Sequence, residues 1–291
     1  MIREPLSPAV SWVIAAASIV VMVVAYTALS VRQHRINPDD KSLPGWSKLY
    51  EGAKSVVTPH HRSKEIWLYE DSKATLTRLF QGLGIGVAGA LALGFLMGCW
   101  APAEAFFSPP LTIAAKLNPI AMLAVFLAMF GTGETMFIAM ITFGILPALA
   151  ITTHLAIKFD VPEELIHKSY TLGASHFEII GLVVFRQVLP KVLEGVRAQI
   201  GPALVYLVAA EMVFGDSGFG YRIRLQSRLL DMKVVYPYIA VLALFGYGLD
   251  LALRMAMNWF CPWYVKYDSE DSAGVVQGLL HLVGLGSKEA S

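Results

Sequence analysis

The chain has 291 residues, of which 56% are hydrophobic and 15% are charged, and its formal net charge is +1. Soluble domains are about 25% charged, so this composition excludes an ordinary soluble protein and indicates a lipid bilayer as the environment. The near-zero charge, without a basic block, does not indicate nucleic-acid binding, and Cys99 and Cys261 lack the spacing of metal ligands.

Runs of apolar residues long enough to cross the ~30 Å hydrocarbon core of a membrane recur along the chain. The first is longer than a secretory signal core of about 7–15 residues and follows prolines rather than basic residues, so it is interpreted as a span. Pro119 interrupts the third run, as neighbouring groups in a membrane bundle permit. The pattern predicts an all-α integral membrane protein with about six transmembrane helices, at residues 9–31, 79–100, 113–130, 136–156, 192–214 and 236–260.

A hydrophilic connection separates the first run from the second, and its end predicts an amphipathic helix. The second run is rich in glycine, which predicts close packing against another helix. These glycines do not form a phosphate-binding loop, because no strand precedes them and no Lys-Ser/Thr pair follows. We therefore expect no ATP site in this chain. The glycines are Gly82, Gly86, Gly89, Gly94 and Gly98.

A polar segment, residues 161–180, interrupts the apolar pattern between the fourth and fifth runs. Asp160, Pro162 and Glu163 form a helix-start signature, which predicts a helix from about residue 161. Gly173 is a helix-stop signal, and Ser175 with Glu178 predicts a capping box that opens a second helix. Apolar residues at spacings of three and four predict one apolar face, formed by Ile166, Tyr170, Gly173, Phe177 and Ile180.

Three stretches resemble ABC importer permeases of the nitrate/taurine/sulfonate/bicarbonate family. ELIHKSYTLGAS (164–175) is similar to the family's E-L-x-E-A-A-x-T-L-G-A-S loop, and VAAEMVFGDSGFGYRI (208–223) is similar to its A-A-E-M and S-G-L-G-Y motifs. NPIAMLAVFLAMFGTGE (118–134) resembles its P-x-x-A…F-G-x-G-E segment. His167, Lys168 and Ser169 replace the family's Glu-Ala-Ala, and Arg186 replaces the first of two prolines.

The resemblance implies a type I ABC importer permease fold, in which the polar segment is a cytoplasmic coupling helix that docks on a separate ATPase. ATP and Mg would be bound by that ATP-binding subunit dimer, with no cofactor or metal in this chain and no catalytic residue. Further implied partners are a second permease copy, expected to be identical, a periplasmic substrate-binding protein and the bilayer. The coupling residues implied by position are Glu164, Leu165, His167, Lys168, Tyr170, Thr171, Leu172, Gly173, Ala174 and Ser175.

The apolar pattern and the resemblance together predict a domain organisation and a multi-pass location in the bacterial inner membrane. The predicted parts are an N-terminal transmembrane helix (1–35), a periplasmic connection with an amphipathic helix (36–78), a permease core (79–262) containing the coupling loop (160–190), and a cytoplasmic tail (263–291). This topology places more Lys and Arg outside than inside, against the positive-inside tendency. The motif is the more specific signal and decides the orientation.

Three polar residues in or beside the predicted spans are candidates for the translocation path: Asn118, Glu134 and Glu211. Ionisable residues inside a membrane are costly and usually face a cavity or a partner. Glu211 therefore either lines the path or makes a structural hydrogen bond within the bundle. Asp250 and Arg254, four residues apart on the last span, predict an ion pair.

The solute is expected to be small and polar, moved by alternating access. The family implies an anion such as nitrate, a sulfonate, taurine or bicarbonate. Residues 36–49 and the closing CPWY (261–264) look more like permeases associated with urea carboxylase systems, which leaves a urea- or guanidine-like solute open. A secondary transporter would usually show an internal repeat. An intramembrane enzyme would need convergent catalytic residues, which GDSGFG (215–220) alone does not supply.

Overall fold

The computed structural model describes residues 8–36, 42–58 and 66–264, and every regular element within these ranges is helical. The chain divides into two compact units, residues 1–47 with 257–291, and residues 48–256. In chain order the helices are α1 (Pro8–Ile36), α2 (Trp46–Val57), α3 (Trp67–Cys99), α4 (Ala101–Ala114), α5 (Leu123–Phe130), α6 (Glu134–Asp160), α7 (Glu163–Thr171), α8 (His176–Glu178), α9 (Phe185–Phe214), α10 (Phe219–Arg228) and α11 (Met232–Phe260), with a π-helical segment Ile179–Val184 between α8 and α9.

Within the first unit, the chain beyond α1 folds back onto the end of that helix. The Tyr26 hydroxyl donates to the Pro44 carbonyl at 2.7 Å, and the Trp46 indole N–H donates to the Thr27 hydroxyl at 3.1 Å. The rings of Tyr26 and Trp46 meet edge to face at 5.4 Å. Aromatic residues with polar tips are typical of the membrane–water boundary, so we expect this end of α1 to lie there. The predicted tail (263–291) lies almost entirely outside the described residues.

Four described helices have the length and apolar composition of a membrane span: α1 over Val13–Ile36, α3, α6 and α11. The third predicted span falls on α4 and α5, which are separated by a break at residues 115–122. The fifth falls on α9, which has 30 residues. This helix combines an apolar half with several charged residues: Arg186, Lys191, Glu194, Arg197 and Glu211.

The third predicted span differs from the structure at its start. Pro119 lies in the break, as its position predicted, but α4 already begins at Ala101 and contains Pro109 and Pro110. Pro102 in the first turn of α4 favours helix initiation. The two internal prolines look like breakers in sequence, yet this helix tolerates them. The helical structure therefore begins 12 residues before the predicted third span (113–130).

The core of the second unit is the contact between α3 and α6, where the glycines of α3 let the two helices approach closely. A Cβ atom added at Gly82 would lie 2.7 Å from Ile141 Cβ, and one at Gly94 would lie 2.7 Å from Thr153 Cβ and 3.0 Å from the Ala150 carbonyl oxygen. Real Cβ atoms do not pack this tightly. The prediction of close packing from the glycine pattern is confirmed.

Replacing Gly94 with leucine is expected to force α3 and α6 apart and to destabilise the protein by about 1–3 kcal/mol, the usual cost of overpacking. Gly84→Leu is the matched control, because an added Cβ at Gly84 meets no atom within 4 Å. The apparent melting temperature of each detergent-solubilised variant measures the effect. Equal melting temperatures for the two variants would contradict the packing argument.

Candidate functional site

The polar segment (residues 161–180) connects α6 to α9 and turns sharply at Gly173. α7 ends in a Schellman motif, in which the Gly173 N–H donates to the Tyr170 carbonyl (3.0 Å) and the Ala174 N–H donates to the Ser169 carbonyl (3.1 Å). Gly173 has φ +85°, a backbone conformation that favours glycine. The predicted sequence of helix, glycine corner and second helix is therefore confirmed.

The start of α7 differs from the prediction. α6 continues through Asp160, so this residue belongs to the preceding helix and does not cap α7. Pro162 occupies the N-cap position without a side-chain hydrogen bond, and α7 begins at Glu163. Glu163 and Glu164 instead place negative charge in the first turn, where the helix dipole favours it.

The capping box at the second helix is present as predicted. The Ser175 N–H and hydroxyl both donate to Glu178 Oε2 at 2.8 Å, and the Glu178 N–H donates back to Ser175 Oγ at 3.4 Å. The Ser175 backbone N–H, with a smaller contribution from its hydroxyl, holds the pKa of the Glu178 carboxyl below its usual value. The ionised carboxylate therefore fixes the chain direction immediately after the corner.

Nine of the ten residues predicted to couple to the ATPase are exposed, and Ala174 is half-buried. Glu164 and Lys168 approach to 3.8 Å, but both side chains are largely exposed, so this pair contributes little to stability. A side-chain hydrogen bond also crosses the corner, between the Tyr170 hydroxyl and His176 Nδ1 at 2.5 Å. The segment thus presents its side chains outward on a braced backbone.

The predicted single apolar face is wrong. Ile166 and Ala174 pack against the buried cluster that contains Ile179. Phe177 is 80% exposed and Leu172 is 87% exposed. The spacing of three and four holds only along one continuous helix, and the left-handed turn at Gly173 changes the direction of the chain. One set of apolar residues therefore anchors the segment, and another is left uncovered.

At the opposite end of α6 and α9, Arg78 on α3 joins the two predicted path carboxylates. Its Nε and Nη2 donate to Glu134 at 2.6 and 2.7 Å, and its Nη1 donates to Glu211 Oε1 at 2.9 Å. The guanidinium lies over the Phe137 ring at 4.5 Å. Thr75, one turn earlier on α3, also donates to Glu211 at 3.0 Å. The Arg78 network, consisting of Asp71, Thr75, Arg78, Glu134 and Glu211, thereby connects α3, α6 and α9.

The same network binds the glycine-containing loop before α10. The Gly218 N–H donates to Asp71 (3.1 Å), the Phe219 N–H to Thr75 (3.0 Å) and the Gly220 N–H to Glu211 (3.0 Å). These groups are the free donors at the start of α10, where acidic groups are favourable. Gly218 has φ +111°, and an added Cβ would lie 2.5 Å from the Glu211 carboxylate. Residues 215–220 therefore form a turn held by this network.

Asp71 extends the network toward α10 and α11. Its carboxylate accepts from Arg222 Nε at 2.8 Å and from the Tyr238 hydroxyl at 2.8 Å. The Arg222 guanidinium also lies 4.6 Å above the Trp67 ring, at the start of α3. Asp71 is fully buried, so these donors replace the hydrogen bonds that its carboxylate would make with water.

The structure places the three predicted path residues in two locations. Glu134 and Glu211 share Arg78, although the Glu134 side chain is 63% exposed and that of Glu211 is 0% exposed. Asn118 lies in the break between α4 and α5, where its side-chain oxygen accepts from the Ile120 N–H at 3.0 Å. Their role in the path stays a prediction, while a structural role for Glu211 is evident from its contacts.

Sequence reasoning missed Asp71, Thr75 and Arg78. They lie at spacings of four and three on α3, so they share one helix face, which was the available signal. The predicted periplasmic connection (36–78) includes all three. In the structure α3 is continuous from Trp67 to Cys99 and carries them into the bundle.

Residues 77–264 match a family described as the binding-protein-dependent transport system inner membrane component. The chain belongs to this family. Like its relatives, this inner membrane component is an ABC importer permease, a multi-pass transport subunit rather than an enzyme.

Two relatives are similar to this inner membrane component over most of its length. It is 29% identical over 197 residues to the taurine transport system permease protein TauC of Escherichia coli, covering 68% of this chain and 71% of the relative. It is 25% identical over 201 residues to a putative aliphatic sulfonates transport permease protein, SsuC, of Bacillus subtilis, covering 69% and 72%. A solved structure of the inward-facing MetNI methionine ABC transporter aligns with TM-score 0.60 and 20% identity over 67% of this chain and 96% of that chain, which establishes the type I importer fold.

Proposed function

We propose that this chain forms the translocation path of an importer that carries a small sulfonate- or taurine-like solute across a bacterial inner membrane. The family match carries the proposal, and relatives named for taurine and aliphatic sulfonate transport support the solute class. Two identical copies enclose the path and alternate between outward- and inward-facing states. A periplasmic binding protein delivers the solute.

The polar segment is the docking surface for the ATP-binding subunits, which bind ATP and Mg. Leu172 and Phe177 support this role, because both are large apolar side chains of the polar segment that are at least 80% exposed. An exposed apolar group rimmed by charges is typical of a protein contact. Ile166 and Ala174 anchor the backbone from the opposite side, so a partner meets a braced surface.

Mechanical coupling follows from the two helices that flank this surface. α6 begins at Glu134 and ends at Asp160, next to the polar segment, and α9 begins at Phe185 and carries Glu211 near its far end. Both helices are fixed to Arg78 at that far end. Movement imposed at the polar segment is therefore transmitted along two long helices to the turn at residues 215–220.

Affinity purification of the tagged chain from its host tests the proposal. An ATP-binding subunit is expected to co-purify in stoichiometric amount with the wild-type chain. Leu172→Asp is expected to lose it, because a charge replaces an apolar contact. Leu229→Asp is the matched control, since Leu229 is also exposed (64%) but follows α10 at the other end of α9.

Purification of the wild-type chain alone, repeated after crosslinking in cells, would contradict the importer proposal. Equal loss of the ATPase in both leucine variants would instead indicate general misfolding and would remove the support for a docking role of Leu172.

A further inference from the structure

Two arginines share one carboxylate between α9 and α11. Arg197 Nε donates to Asp250 Oδ1 at 2.5 Å, and Arg254 Nε donates to Asp250 Oδ2 at 2.9 Å. The sequence predicts the pair of Asp250 and Arg254, but only the tertiary structure adds Arg197. This Arg–Asp–Arg triad has two positive charges against one negative charge, so one positive charge is left uncompensated.

The triad lies deep within both helices. At 1.5 Å per residue, Arg197 is roughly 18 Å from the start of α9 and 26 Å from its end, and Asp250 is roughly 27 and 15 Å from the ends of α11. If these helix positions lie inside the bilayer, a surplus charge there is costly and is expected to face a water-filled cavity or a counter-ion rather than lipid. We therefore expect an anion or water beside the triad.

The triad is partly exposed at the surface of this chain and has spare donors. Its side chains are 32%, 27% and 37% exposed for Arg197, Asp250 and Arg254. Each arginine uses only Nε here, and in the part of the chain that the structure describes the Nη groups of both have no hydrogen bond. Gly201, one turn after Arg197 on α9, leaves open space beside it, because an added Cβ meets nothing within 4 Å.

Neighbouring charges do not neutralise the surplus. Lys191 and Glu194, earlier on α9, pair with each other at 3.9 Å. Guanidinium groups bind planar and tetrahedral oxyanions with two parallel hydrogen bonds, at a geometry that their Nη donors match. The free donors and the surplus charge therefore point to one ligand chemistry, a small oxyanion.

We propose that the Arg197–Asp250–Arg254 triad binds the anionic group of the transported solute, a sulfonate or a similar oxyanion, within the membrane. This inference rests on the proposed importer function and deepens it by giving the solute a site. A guanidinium-like solute is disfavoured by repulsion from two arginines. A neutral urea-like solute gains nothing from the surplus charge. Asp250 holds both arginines in place and also competes with the anion for them.

The test uses the purified complex of this chain with its co-purifying ATP-binding subunit. Its melting temperature is measured while sodium methanesulfonate replaces sodium chloride at constant ionic strength, and separately with added methylurea. A saturable rise is expected with methanesulfonate only. Arg197→Gln and Arg254→Gln are each expected to weaken the apparent affinity at least about ten-fold, the effect of losing a charge-assisted hydrogen bond.

Asp250→Asn separates binding from a structural clamp. It releases both arginines from their competing carboxylate, so the apparent affinity for methanesulfonate is expected to increase several-fold, even though the complex itself becomes less stable. A clamp predicts lower stability with no change in anion affinity, and that result would overturn the proposal. So would a complex that responds equally to methylurea, or to neither solute. Failure to recover the ATP-binding subunit would count against the importer function instead.

Discussion

The Arg78→Met variant is expected to lose about 3–5 kcal/mol of stability, the cost of breaking a buried ion pair. Most of this loss comes from Glu211, which is fully buried and would lose the cation that pairs with its carboxylate. Glu134 is largely exposed, so water solvates its carboxylate when Arg78 is removed. The apparent melting temperature of the solubilised protein, followed by size-exclusion chromatography after heating, measures the effect.

Two further variants make this prediction specific. Lys73→Met is the control, because Lys73 lies on the same helix as Arg78 and is exposed. Arg78→Met combined with Glu211→Gln is expected to recover part of the stability, since the uncompensated charge is removed. A melting temperature for Arg78→Met equal to that of Lys73→Met would show that the network contributes nothing to folding.

The Gly173→Val variant is expected to abolish solute uptake while the chain remains inserted in the membrane. A β-branched residue at φ +85° is strained by roughly 1–3 kcal/mol. An added Cβ meets no atom within 4 Å, so the effect acts through the backbone. The corner is expected to change direction, which moves the polar segment relative to its ATPase. Uptake in cells, normalised to the amount of inserted protein, measures the loss.

Gly181→Val is the matched control for this change. Gly181 is exposed, an added Cβ there also has open space, and its φ is not positive. Its uptake is expected to stay near the wild-type value. ATP hydrolysis by the assembled complex adds a second measurement, since uncoupling preserves hydrolysis without uptake. Normal uptake by Gly173→Val would refute a coupling role for the corner.

The two predictions test opposite ends of the same helices. Arg78 fixes α6 and α9 at Glu134 and Glu211, and Gly173 shapes the segment that joins their other ends. Loss of Arg78 is expected to lower stability more than transport by the protein that remains folded. A changed corner at Gly173 is expected to lower transport more than stability. Different phenotypes are expected because Arg78 holds one end of α6 and α9 in place, whereas the ATPase moves the polar segment at their other ends.

The sequence by itself determined the features that depend on local chemistry. Apolar runs located the four helices that have the length and composition of a membrane span, because a span must be predominantly apolar. The left-handed stop at Gly173 and the Ser175–Glu178 capping box were predictable, because each depends on residues within one turn. The glycine pattern of α3 indicated close packing, although it did not identify α6 as the partner.

Only the tertiary structure decided which distant residues meet. Arg78 reaches Glu134 across 56 positions and Glu211 across 133, and Arg197 reaches Asp250 across 53. Each arginine could pair with any carboxylate that packing brings near, so no local rule selects the partner. The exposure of Phe177 was decided in the same way, since it depends on the direction of the chain after Gly173. Helix packing determines these contacts, and with them the network and the triad.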